Sequence, residues 1–143
     1  MTSRGTDRAT YAPAAADLLH LARQGIRKAR TGTPNECFAE AHLAALRTAA
    51  AVLATRGRPE STRKRGRIRS AWEVLPEIAP ELSSWAEHFG TQATQRARAE
   101  AGITGAASPR DAQEMARDAD MFLRLVERML LLPTRANLAD RAA

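Results

Sequence analysis

Seven basic side chains, Arg56, Arg58, Arg63, Lys64, Arg65, Arg67 and Arg69, fall within the segment RGRPESTRKRGRIR, accompanied by one acid, Glu60. Cations at that density neutralise phosphates or another polyanion, with binding that weakens steeply as salt rises. The segment holds no aromatic on which a base could stack, so a nucleic-acid contact made through it would be indifferent to sequence. The whole 143-residue chain carries 22 Lys+Arg and 16 Asp+Glu, a net charge of +6, and this one strap accounts for all of that excess. The rest of the chain is therefore neutral, although a basic chain ordinarily signals a positively charged body. The same run also fits a solvated connector in a chain where arginine vastly outnumbers lysine, so charge alone leaves both readings open. An acidic protein is the other partner class that such a strap fits.

The remaining reactive side chains are few. His20, His42 and His88 are scattered, and Cys37 is alone. That excludes an internal disulfide, suits a reducing compartment, and supplies too few soft ligands for structural zinc. No metal or cofactor is expected. His42 sits midway along an apolar arc, where burial favours the neutral ring and a partner must satisfy its nitrogens; it reads as a buried structural histidine. The first dozen residues lack an apolar signal core, and the longest apolar stretches are interrupted short of the ~20 residues a membrane span needs. A cytoplasmic location and no membrane contact are the expectation.

Helical periodicity supplies the elements that would carry these groups. Pro13 opens a helix with Ala15, Leu18, Ala22, Ile26 and Ala29 on one stripe, ending near Thr31 and Gly32. Thr33, Pro34 and Glu36 form a capping-box start for a second helix to about Thr55, apolar nearly all round and so central. After the strap, Ser70 and Glu73 repeat the box and open the short helix AWEVLPEIA, limited or bent by Pro76. Pro80 starts a helix predicted to run to about Glu100. Ser108, Pro109 and Asp111 start the last, predicted to stop at Leu132 before Pro133. Trp72 and Trp85 lie on apolar faces and read as core. No segment alternates with period two. The expected fold is all-α, an antiparallel bundle of four long helices plus one short helix. It spans residues 13–133 as one domain, with a basic inter-helix loop at 56–69, a disordered tail at 1–12 and a flexible tail at 134–143.

The last helix carries a wide apolar arc, from Ala112 through Leu130 and on to a second line of Met121, Phe122, Leu125, Met129 and Leu132. One face rarely needs that much. It is either covered on two sides within the bundle or it contacts a second chain, and the second line is the candidate homodimer interface.

The stretch ECFAEAHLAALRTAAAVLA resembles the second helix of HEPN domains. Taken with LLHLARQGI, the Arg-rich loop, SAWEVLPEIAPELSSWAEHF, RARAEAGI and DADMFLRLVERML, it resembles a family of small actinobacterial HEPN proteins with no assigned activity. The resemblance covers roughly Leu18 to Leu132 and implies an HEPN-like helical bundle. HEPN ribonucleases use an Arg, four to six residues, then a His, as transition-state stabiliser and general acid or base. Here the positions upstream of His20 are Pro13, Ala14 and Ala15; of His42, Asn35, Glu36 and Cys37; of His88, Glu81, Leu82 and Ser83. None is Arg. The resemblance thus implies the fold without that nuclease site, and a binding or scaffolding role without catalytic residues. The alternatives it leaves are a divergent ribonuclease, with His42 or His88 meeting an Arg of another helix in space, and the helical member of a toxin–antitoxin pair.

Overall fold

The computed structural model describes residues 13–57, 63–64 and 67–142, with backbone alone at 63–64, 67–68 and 132–142. Helix α1 (Pro13–Ala29) and helix α2 (Pro34–Arg56) form a hairpin whose short turn is closed by the Thr31 and Gly32 amides bonding to Lys28 and Ala29 carbonyls. The predicted capping box is present: the Thr33 hydroxyl accepts from the Glu36 amide, and the Glu36 carboxylate accepts from the Thr33 amide. Gly32 makes room for it, since a Cβ there would lie 2.9 Å from Glu36 Cβ.

In α1, Ala15, Leu19, Ala22, Ile26 and Ala29 face the core; Leu19 takes the place expected of Leu18, which is half-buried, while Leu21 faces outward. Helix α2 is the axis of the bundle. Ala41, Ala44, Ala45, Ala49, Ala51 and Val52 are fully covered, and α2 packs against α1 and every later helix in its reach. Methyl-sized side chains on several faces let neighbouring backbones approach closely, and close packing of this kind collects many small dispersion terms. The two threonines close their hydroxyls on the preceding turn, Thr48 to the Ala44 carbonyl and Thr55 to the Ala51 carbonyl, each at 2.9 Å. In length and composition α2 would span a bilayer, contrary to the expectation that no apolar stretch approaches that length. Its apolar window is 61% buried inside the protein, which marks a core helix.

The strap does form period-two structure, a short ladder the sequence did not disclose: β1 (Arg63–Lys64) pairs antiparallel with β2 (Arg67–Ile68). Helix α3 (Ala71–Ile78) begins at the predicted Ser70–Glu73 capping box and ends two residues after Pro76. The predicted helix from Pro80 to Glu100 is not continuous. A 3-10 turn over Pro80–Leu82 leads into α4 (Ser83–Gly90), and α5 (Ala93–Glu100) follows a break at Thr91 and Gln92. Among the described residues the bundle therefore has three long helices, with α3, α4 and α5 as short ones, and remains all-α in class.

Helix α6 (Pro109–Ala142) opens on reciprocal bonds between Ser108 and Asp111, as its start signal predicted. It passes Pro133 and continues to Ala142, beyond the predicted stop at Leu132. A proline removes one intrahelical bond and bends a helix more readily than it ends one. Asn35, at the start of α2, ties down the α5–α6 connection: its side-chain amide donates to the Ile103 carbonyl and accepts from the Ala107 amide, both at 2.9 Å.

The wide arc of α6 is covered mostly by its own chain. Phe122 is fully buried, with ring centroids 5.2 Å from Phe89 and 5.4 Å from Trp85, so it is withdrawn as a dimer-interface residue. Leu125 and Met129 pack half-buried on the core, Met121 is 51% exposed, and the Leu132 side chain lies outside the described residues. Truncation of a fully packed ring leaves a cavity. Phe122→Ala is expected to lower unfolding free energy by about 3–5 kcal/mol, read by urea denaturation, with the molecular mass in solution unchanged. A change in mass at undiminished stability would return Phe122 to an interface.

Candidate polyanion interface and the buried histidine

The strap connects the end of α2 to the start of α3, and an ion pair is present at each end, at Arg56 and at Arg69. The Arg56 guanidinium meets the Glu81 carboxylate at 2.8 Å, and its hydrogen bond holds that carboxyl below the usual carboxylate range. Arg69, whose side chain is only 13% exposed, pairs with Glu77 and donates to the Glu73 carbonyl at 3.3 Å. Both acids lie close together on α3 and the turn after it, so the two feet share one seat. By sequence all seven cations are alike; in the structure Arg56 and Arg69 are engaged with carboxylates of the bundle, and the side chains of the other five lie outside the described residues. The outward acids Glu77 and Glu81, just beyond the strap, were the available signal. Arg63, Lys64 and Arg67 stand on the two-residue ladder, with Arg63 opposite Ile68 and Lys64 opposite Arg67. Arg58 and Arg65 lie outside the described residues.

His42 is where sequence placed it, inside the core at 1% exposure. Its Nε2 donates to the Phe89 carbonyl at 2.9 Å, and that carbonyl also accepts from the Gln92 amide at 3.1 Å. These bonds coincide with the break between α4 and α5, where the chain turns away after Gly90; a Cβ on Gly90 would meet Trp72 Cβ at 3.4 Å. Trp72 and Phe89 stand edge-on to the imidazole at 5.9 and 6.1 Å. With Nε2 bound to a carbonyl, Nδ1 is the bare nitrogen, and it has no hydrogen-bond partner among the described residues. Burial, with the nearby Arg96 guanidinium adding to it, pushes the His42 pKa below its ordinary 6.5 against the opposing Phe89 bond.

His88 is a pairing the sequence did not suggest. Its Nε2 lies 2.9 Å from the Asp118 carboxylate of α6, and Arg117 Nε approaches the same carboxylate at 3.7 Å. Half-exposed, this group joins α4 to α6. Cys37 is a small core residue, its Sγ directed to the Ala112 carbonyl at 3.5 Å and its thiol pKa raised by burial. A groove of about 380 Å³ between α1, α2 and α5 is lined by Lys28, Glu36, Glu40 and Glu100. Its carboxylates are already engaged, Glu36 in the capping box, Glu40 with Lys28 and Glu100 with Arg96. Among the described residues no cluster of three or more His, Cys, Asp or Glu side chains converges as a metal site.

A model of the SAV_6107-like HEPN family matches residues 28–127, from the last turn of α1 into α6 and over more than half of the chain. The chain belongs to this HEPN family. No curated protein and no solved structure matches it significantly. The HEPN match includes the whole strap and both of its feet, His42 and the α4–α5 break, so these features belong to the domain itself.

His42 links this domain's stability to pH. Its pKa is depressed in the fold, so above about 6.5 both states are neutral at this ring and the group contributes no pH dependence. As pH falls below that value the unfolded chain binds a proton that the folded chain resists, and stability falls. His42→Gln retains a donor for the Phe89 carbonyl and removes the titration. The variant should lose less stability than the wild type between neutral and mildly acidic pH, measured by urea unfolding; parallel losses would show that His42 is not the group responsible.

Proposed function

We propose that this HEPN domain is a binding module without catalytic residues, whose strap holds a polyanion on an otherwise neutral bundle. The observation that carries this reading is the separation of charge. The net charge of +6 resides in the 56–69 segment, and the structure gives Arg56 and Arg69 to intramolecular carboxylates. Five further cations, Arg58, Arg63, Lys64, Arg65 and Arg67, lie between these two in sequence. The absence of Arg five to seven positions before any of the three histidines supports binding over the HEPN ribonuclease chemistry. Burial of His42 removes it from contact with any substrate.

Replacing those five cations by Gln should weaken binding to heparin and to nucleic acid by more than tenfold at low salt, and flatten the dependence of log affinity on log salt by roughly four. Arg56→Gln and Arg69→Gln should chiefly lower the unfolding temperature. Unchanged affinity and slope in the five-site variant would defeat the reading.

A second reading has one observation in its favour: His88, Asp118 and Arg117 form a half-exposed acid–base group. Under that reading the purified domain cleaves RNA and His88→Ala abolishes cleavage. The binding-module reading expects intact RNA at high protein concentration with either chain.

A further inference from the structure

We infer that the cleft where the start of α2 meets α6 binds a small organic anion with an apolar body, an aromatic carboxylate or phosphate monoester in chemical class. The cleft shares no residue with the strap and stands apart from the polyanion reading. Its walls follow from spacing. Gln113, Ala116, Arg117, Asp120 and Met121 recur every three or four positions and so fall on one face of α6. That face looks onto Arg30, just after the end of α1, and Cys37, in the first turn of α2. The Cys37 thiol donates to the Ala112 carbonyl at 3.5 Å and joins α2 to α6 there. Cys37 and Ala116 are both buried and both small, so the helices meet without filling the space beside them, and a cavity of about 290 Å³ remains.

The floor of this cavity is apolar and its rim is cationic. The Arg30 side chain has no ion pair or hydrogen bond among the described residues. Its guanidinium lies near enough to the Cys37 thiol to oppose the effect of burial there. Arg117 reaches only Asp118, at 3.7 Å, and that carboxylate is already held by His88 at 2.9 Å. Asp120 also lines the cleft, but Arg124 takes its carboxylate at 3.1 Å. Two guanidinium groups are thus left beside the cavity with little or no neutralisation from the chain itself. Each presents a planar fork that matches the oxygens of a carboxylate or phosphate. A bare inorganic anion would leave the floor in water, whereas a ring covers it and Met121, 51% exposed at the rim, is a flexible thioether suited to lie against that ring. The volume is at the lower limit for small-molecule sites, which suits a ligand of about one ring and no polymer.

The test is an amide chemical-shift titration of the isotope-labelled full chain at constant ionic strength, with benzoate, phenyl phosphate, acetate, benzamide and benzylamine as probes. Benzoate or phenyl phosphate should shift the amides around Arg30, Cys37, Ala116 and Arg117, with a Kd on the order of millimolar, as befits so few atoms. The tighter of the two identifies the head group. It should bind at least about fivefold more tightly than acetate, benzamide or benzylamine. Arg30→Gln and Arg117→Gln are surface changes whose folding is read in the same spectra. Each should weaken the anion about two- to fivefold, the range for exposed ion pairs, and the double variant should bind benzoate no better than benzamide.

Equal affinity for benzoate, phenyl phosphate and benzamide, tighter binding of benzylamine, or shifts confined to other parts of the chain would overturn the inference. So would acetate that matches benzoate, since the apolar floor would then play no part, and so would a double variant that keeps the preference for anions or a wild type that no probe shifts.

Discussion

Everything in this bundle depends on how closely its neighbours can approach α2. A helix buried on most of its circumference must offer small side chains on several faces, and the alanines at 41, 44, 45, 49 and 51 do so, with Phe38 and Leu53 filling the wider spaces near its two ends. Substitution of such an alanine by a larger residue would press on a packed neighbour, because interiors at crystal-like density have little free volume. The same demand explains why α2 looks like a membrane span by composition: being surrounded by protein on many sides and being surrounded by lipid select the same apolar helix. Its ends are polar and well defined, with a capping box at Thr33 and the Arg56 ion pair at the other end.

The second constraint is the polar group placed in that apolar axis. His42 needs an acceptor, and the Phe89 carbonyl supplies it at the α4–α5 break, where it is also shared with the Gln92 amide. Around this bond the rings of Trp72, Phe89, Trp85 and Phe122 stack and tilt at centroid distances of 5.2–6.4 Å, the range in which aromatic pairs attract. The break in the helix, the buried histidine and the aromatic cluster are thus one arrangement. Phe122 belongs to it, which is why the wide arc of α6 turns inward.

Start signals are the most legible part of the sequence, because a cap is a local interaction between residues three apart: the capping boxes of Thr33 with Glu36 and Ser70 with Glu73 are present, and Ser108, expected only as an N-cap, also donates its amide back to the Asp111 carboxylate. Stops were less legible. The apolar stripe through Trp85, Phe89 and Ala93 hid the interruption at Thr91, since periodicity is blind to a carbonyl claimed by a distant histidine; Gly90 was the visible hint. Pro133 was given too much weight as a terminator. At the candidate site, sequence found the basic strap and the buried His42. It could not tell Arg56 and Arg69 from their five neighbours, because their partners Glu77 and Glu81 meet them only once α3 has folded back. The His88–Asp118 pair spans 30 positions and left no local trace.

The proposed reading assigns stability and binding to different parts of one HEPN domain: the bundle organised on α2 to the first, and the strap between two ion-paired feet to the second. Such a division can be tested in a single chain. Residues 58–68 are replaced by a Gly/Ser segment of the same length, leaving Arg56, Arg69 and both of their carboxylates in place, and the variant is compared with the wild type for urea unfolding and for retention on heparin. The account predicts unfolding free energies within about 1 kcal/mol of each other, since surface and loop changes rarely exceed that, together with loss of heparin retention. Retention that survives the replacement would contradict it.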